Sequence, residues 1–157
     1  MTRQQALIVA LACLPGWAQA TGCTMTPSAL SFGPYDTIAP GANDSSATLQ
    51  VVCIPGVSDP LTTAYTITIA GTGTGGDTTR SISFGSHRLY YQVHKDAGRA
   101  TVWGNGGSSG TGVSDSVTSS AVLVAGTRTH TVYARMAARQ AVAPGGYAGT
   151  LLVTINY

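Results

Sequence analysis

Four separated runs of this chain alternate side chains with a period of two. Ala47, Leu49, Val51 and Cys53 interleave with Thr48, Gln50 and Val52. Tyr65, Ile67 and Ile69 interleave with Thr66 and Thr68, and Leu89, Tyr91 and Val93 with Tyr90 and Gln92. Leu151, Val153, Ile155 and Tyr157 interleave with Leu152, Thr154 and Asn156. Successive side chains of an extended backbone point to opposite faces, so each run describes a strand with one buried face. Weaker strand candidates are Leu30 to Phe32, Ser81 to Phe84, Ala100 to Trp103, Val117 to Val124 and Thr129 to Met136. No window beyond residue 20 sustains apolar residues at helical spacing.

Turn chemistry separates the runs. Pro55-Gly56, Gly71 to Asp77, Gly104 to Gly112, Ala125-Gly126 and Pro144 to Gly146 all favour chain reversal. Seven to nine short strands joined by such turns describe a single all-β domain built as a sandwich. No linker or composition break marks a second domain.

The first 20 residues stand apart. A short polar start with Arg3 is followed by an unbroken apolar run, Ala6 to Leu14. Pro15 and Gly16 break the run, and Ala18-Gln19-Ala20 places small residues before a cut. That order is a secretory signal peptide, and the apolar run is too short for a permanent membrane helix. Residues 1–20 are therefore expected to be removed, with Thr21 opening a single domain over 21–157. No later segment carries the long apolar run of a stable membrane span.

Export changes the cysteine arithmetic. Cys13 leaves with the signal, and Cys23 and Cys53 remain. Two cysteines in an exported chain predict a structural disulfide. The alternative, lipidation of Cys23, lacks the leucine that lipoprotein signals carry before the cysteine.

The six acidic residues are all Asp, and the whole chain carries a formal charge of +2, one unit of it from Arg3. A balance so near zero offers no basic face and argues against nucleic acid as a partner.

The motifs that could carry chemistry are weak. Gly106-Gly107-Ser108-Ser109-Gly110 matches a nucleophile-elbow pattern, with Asp115 and His130 following in hydrolase order. The elbow works through a strand-to-helix turn, and nothing helical follows here. His87 and His94 are an odd number of residues apart, which puts them on opposite faces of one strand. Gly75-Gly76-Asp77 is a single turn rather than a calcium-binding repeat. No catalytic residue, metal ligand or cofactor site is expected. Trp103 and Asn105, beside a flexible loop, are the candidate surface-contact residues, set against a tryptophan that packs at a strand end.

Several pieces in order resemble one family. Cys23 is followed by Leu30-Ser31-Phe32-Gly33-Pro34-Tyr35-Asp36, and Cys53 closes the next strand. Arg80 precedes Leu89-Tyr90-Tyr91-Gln92-Val93, and Asp96 and Arg99 lead to Trp103-Gly104-Asn105-Gly106. Tyr133-Ala134-Arg135-Met136, Gln140 and Pro144-Gly145-Gly146-Tyr147 precede Val153-Thr154-Ile155-Asn156-Tyr157. From Cys23 to Tyr157 the chain resembles the spore coat protein U domain, shared with pilins of the archaic chaperone–usher class. Two departures stand out. Gly149 occupies a position where the family pattern leads to Asp, and little precedes Cys23 once the signal is removed.

The resemblance implies an immunoglobulin-like β-sandwich lacking its final strand, which a donor strand completes. It implies a structural subunit of a surface fibre, with a periplasmic chaperone, an outer-membrane usher and sister pilin subunits as partners. It implies export to the periplasm and then to the cell surface of a Gram-negative bacterium, with a role in adhesion or biofilm formation. Leu151, Val153, Ile155 and Tyr157 are the expected wall of the donor-strand and chaperone groove. The short start before Cys23 predicts a subunit that accepts a strand without donating one, at or near the fibre tip. The alternatives are a carbohydrate- or surface-binding module and a coat protein that does not polymerise.

Overall fold

The computed structural model describes residues 20–71, 80–106 and 110–157. The signal segment up to residue 19, Gly75-Gly76-Asp77 and Gly107-Ser108-Ser109 lie outside the described residues.

The described residues form eight strands: β1 (Gly22–Pro27), β2 (Asn43–Ile54), β3 (Thr62–Gly71), β4 (Arg80–Phe84), β5 (His87–His94), β6 (Val113–Thr118), β7 (Gly126–Met136) and β8 (Leu151–Asn156). The alternating residues do what their period requires. Leu49, Val51, Tyr65, Ile67, Ile69, Leu89, Val93, Val132 and Met136 are all buried in one core. Their polar neighbours in sequence face outward.

Two antiparallel sheets enclose that core. One has strand order β1-β2-β7-β5-β4 and the other β6-β3-β8. In an immunoglobulin sandwich, strands A-B-E-D of one sheet face C-F-G of the other. Here β1, β2, β7 and β5 take the A-B-E-D positions in chain order, and β3 and β8 take C and F. Strands β4 and β6 extend the sheets at other edges. The architecture is thus an immunoglobulin-like β-sandwich. Among the described residues, none pairs with the outer edge of β8, where strand G would lie.

Cys23 and Cys53 sit directly opposite one another in the β1–β2 ladder and are joined by a disulfide. Gly126 lies opposite Cys53 on the other side, in the β2–β7 ladder. A Cβ at Gly126 would stand 2.4 Å from Cγ1 of Val117, so the sheets approach too closely there for any side chain. The disulfide closes a 30-residue separation, which constrains the unfolded chain by roughly 3–4 kcal/mol. Cys23→Ala is therefore expected to lower unfolding stability by about that amount in urea titrations. An unchanged midpoint, or two free thiols in native exported protein, would contradict it.

Three strand expectations need correction. Leu30 to Phe32 forms no strand. Side chains of β2 tether it instead, Asn43 Nδ2 donating to the Phe32 and Pro34 carbonyls and Ser45 Oγ to the Ser31 carbonyl. Ala100 to Trp103 contributes only isolated bridges, His94 with Val102 and Trp103 with Thr111. Strand β6 begins at Val113 and ends at Thr118, so Ala121 to Val124 is loop. Leu123 adopts a left-handed φ of 60° and its N–H bonds to the Pro55 carbonyl, which turns the chain before β7.

Trp103 also needs correction as a surface-contact residue. It is 1% exposed and forms part of the core. Its indole N–H donates to the Ile67 carbonyl at 3.0 Å, and its backbone N–H to Val93 at 3.0 Å. Arg80, equally buried, donates through Nη2 to the carbonyls of Ile69 at 2.7 Å and Trp103 at 2.8 Å, and through Nη1 to the Gln92 side chain. The segment around Trp103 thus crosses from β5 in one sheet to β3 in the other and fastens them together. Asn105 remains exposed beyond it.

Candidate functional site: an open cleft beside the last strand

The packing of β8 differs from that of its neighbour. In the β3–β8 ladder, Ile69 faces Val153 and Ile67 faces Ile155. Ile67 and Ile69 are 0% and 1% exposed, whereas Leu151, Val153 and Ile155 are only half-buried. Side chains paired across two strands share one face, so coverage by the opposite sheet fails toward the outer edge of β8.

That failure opens a cleft of about 910 Å³. One wall is Leu151 and Val153 of β8. The facing wall is the tethered segment after β1, including Leu30, Phe32 and Tyr35. The floor is the core itself, with Leu49, Ile69, Leu89 and Met136, all buried, lying beneath the cleft. The loop before β8 closes one end through Val142, Tyr147 and Gly149.

Local hydrogen bonds hold these walls in place. The Tyr35 hydroxyl donates to the Ala137 carbonyl at 2.6 Å and accepts the Gln140 N–H at 2.9 Å. The Gln140 side-chain amide pairs with both backbone groups of Tyr90, at 2.7 and 2.8 Å, as a neighbouring strand would. Ser83 and Ala148 exchange backbone bonds, fixing the loop before β8 against β4. Gly149 lies where a Cβ would stand 3.1 Å from Ile82 Cγ2 and 3.2 Å from the Ser81 carbonyl oxygen. The tight approach gives a physical reason for glycine there.

The expected groove residues divide. Leu151 and Val153 line the cleft. Ile155 packs against the core outside the cleft lining. Tyr157 lies beyond β8, 59% exposed, and borders a separate shallow depression with Ala20, Thr21 and Asp59. The alternation is regular along all four, but the cleft lining takes only Leu151 and Val153 from this strand. Leu49, Leu89, Met136 and the Tyr35–Gln140–Tyr90 brace carried no groove signal in the sequence, because they belong to the opposite sheet and to loops.

The chemical motifs resolve into structural contacts. His130 Nε2 bonds to the Tyr65 hydroxyl at 2.8 Å and lies 3.8 Å from Asp115, whose carboxylate takes Arg128 at 2.8 Å. Burial pushes the His130 pKa below its ordinary value, against the opposing pull of Asp115. His94 is buried and its pKa is likewise lowered by burial, while His87 is exposed on the other face of β5. Among the described residues, no three His, Cys, Asp or Glu side chains converge as metal ligands. No helix among them is long and apolar enough to cross a membrane. Asp96 accepts the N–H groups of Ala100 and Thr101, which hold its carboxyl below the usual range and shape the turn toward Trp103.

The Spore Coat Protein U domain model matches residues 10–154, and the chain belongs to that family. No protein of curated function matches it. Among solved structures, it is similar to a chain in the crystal structure of the CsuC–CsuE chaperone–tip adhesion subunit pre-assembly complex from archaic chaperone–usher Csu pili of Acinetobacter baumannii. The TM-score is 0.58 at 16% identity, over 87% of this chain and 40% of that one. At that identity the likeness establishes the fold, and this chain spans under half the length of the neighbour.

Proposed function

We propose that the cleft beside β8 accepts an extended strand from another polypeptide, and that the protein is a secreted structural subunit of a chaperone–usher type surface fibre rather than an enzyme. The observation that carries this is the inequality between paired residues, Ile69 fully covered and Val153 half-covered in the same rung. One wall of the cleft is a strand whose outer edge takes no strand partner among the described residues. Strand addition supplies backbone bonds to such an edge and inserts alternate side chains into the apolar trough. Four or five inserted side chains would contribute roughly 6–15 kcal/mol before ordering costs.

In this reading a periplasmic chaperone covers the cleft first, and a sister subunit replaces it at the outer-membrane usher. The family and the neighbour, itself named as a chaperone–subunit complex, support that sequence of partners. The chain would pass through the periplasm to the cell surface, sit at or near the fibre tip, and serve adhesion or biofilm formation.

A surface-binding role has its own support, at a different place from the Trp103 loop. Ile54, the last residue of β2, Val57 just after it, and Val122, Leu123 and Val124, before β7, are all exposed. The Leu123–Pro55 bond joins these two loops at one end of the sandwich. Large exposed aliphatic side chains grouped in this way mark a contact surface.

The test mixes chaperone-bound protein with a synthetic peptide copying a sister subunit's donor segment. Displacement of the chaperone and a stable peptide complex are expected. A cleft that takes up neither chaperone nor peptide would leave a coat protein that does not polymerise.

A further inference from the structure

Thr21 makes a contact that the strand-acceptor reading does not use. Its backbone nitrogen donates to Asp59 Oδ2 at 2.7 Å, and its hydroxyl donates to the same oxygen at 2.6 Å. The Gly56 N–H adds a third bond at 3.1 Å from within the loop that carries Asp59. The hydrogen bonds from Thr21, and then Gly56, hold the Asp59 carboxyl below the usual carboxylate range. Among the described residues, no cationic side chain pairs with this carboxylate, whereas Asp44 and Asp115 each take an arginine. The negative charge is thus aimed at a main-chain nitrogen. That nitrogen directly follows Ala18-Gln19-Ala20, the small residues that close the signal-like segment.

We propose that Ala20–Thr21 is the processing bond and that Asp59 is the receptor for the α-ammonium group its hydrolysis creates. An endopeptidase adds one water across the bond. The hydroxyl goes to the Ala20 carbonyl carbon, which leaves as a carboxylate with the leader. The proton goes to the Thr21 nitrogen, which becomes an ammonium after taking up a second proton from solvent. The nitrogen already lies at ion-pair distance, so a neutral donor becomes a cation without rearrangement. The position is selective. A cut after Ala18 would leave a neutral amide at Thr21 and place the charge two residues away, up to about 7 Å along the chain.

The site is also held on both sides. Thr21 lies just before β1, which the Cys23–Cys53 disulfide staples to β2, and Asp59 lies in the loop after β2. The surrounding depression is formed by Ala20, Pro60, Thr62, Thr63, Ala64 and Tyr157, so Tyr157 is the other lining residue with a titratable side chain. The inference goes beyond the acceptor reading and does not depend on it. A chain that never meets a chaperone would still carry this clamp.

The signs of the linked pH effects are opposite. The ammonium would contribute stability fully below its ordinary pKa of about 7.7–8.0 and lose it as pH rises through the raised value. Asp59 contributes above the ordinary carboxylate value of about 3.8 and loses that contribution as pH falls through the lowered one.

The experiment exports the full chain in a Gram-negative host and reads the new terminus by intact mass. The α-amine pKa is then taken from the pH dependence of its acylation, followed on the N-terminal peptide. The expected terminus is Thr21, with a pKa raised above the ordinary value. Asp59→Asn should return it to the ordinary range with the disulfide intact. If that variant does not fold, a chain with one Gly inserted between Ala20 and Thr21 gives the same comparison, because the charge no longer reaches Asp59. A terminus elsewhere, or an ordinary pKa in the unaltered protein, would overturn the proposal. Donor-peptide uptake reports on the cleft alone and separates the two ideas.

Discussion

Val153→Asp is expected to abolish uptake of a donor strand while leaving the sandwich folded. Val153 lies on the cleft wall, half-covered, beside fully buried Ile69. In the open state a carboxylate there can reach water across the cleft, so the cost to folding is modest. Once a strand fills the cleft, the same carboxylate is shut into an apolar trough with no cation among the lining residues. The loss of apolar contact is about 1.5–3 kcal/mol, and burying an unpaired charge adds several more. At about 1.4 kcal/mol per factor of ten, affinity should fall by at least 100-fold. Leu151→Asp should behave alike. Tyr157→Ser, outside the cleft lining, should leave uptake nearly unchanged. Co-purification with a cognate chaperone and peptide titration measure both outcomes. Unimpaired uptake by the Val153 variant would remove β8 from the acceptor site.

Trp103→Ala is expected to produce the largest loss of folding stability among single substitutions in the described core. The side chain is buried and its N–H holds the Ile67 carbonyl. Truncation of a buried Trp typically costs 3–5 kcal/mol, a large share of the ~5–15 kcal/mol that holds a domain together. The surrounding shell adds to the effect. The indole packs edge-on against His130 at 6.3 Å, and the Trp103 carbonyl anchors the buried Arg80 guanidinium. Trp103→Phe keeps most of the volume and should lose only about 1–3 kcal/mol with the missing hydrogen bond. Urea unfolding resolves the two variants. A Trp103→Ala loss under about 1 kcal/mol would mean that the segment does not fasten the sheets.

Much of this fold was legible in the chain because its strongest signal is local. The period-two runs through Leu49, Ile67, Tyr91 and Val153 each report a buried face, and each became a strand. What stayed hidden is set by pairing across long sequence distances. Nothing near Trp103 says that its ring meets Ile67 and its carbonyl meets Arg80. The loop setting left both a surface ring and a ring packed at a strand end open, and the packed reading is the one the structure shows. Ala121 to Val124 has strand-like composition, yet Ser119 bonds to Leu61 and Leu123 to Pro55, which bends the chain away from β6. The groove was half legible. Alternation marked the inner face of β8, but where the opposite sheet stops covering that face depends on Phe32, Met136 and the loop before Leu151. Residues such as Tyr35 and Gln140 entered only through the resemblance to the family, and the structure supplies their reason as braces for the cleft wall.

The central claim is that the outer edge of β8 receives a strand. Hydrogen exchange of the β8 backbone amides, with and without a bound donor peptide, addresses it most directly. Exposed edge amides exchange readily, and those that gain a ladder partner become protected. Binding should slow exchange within Leu151 to Asn156 and leave the protected centre of β7 unchanged. Peptide binding that leaves every β8 amide as exposed as before would contradict the account.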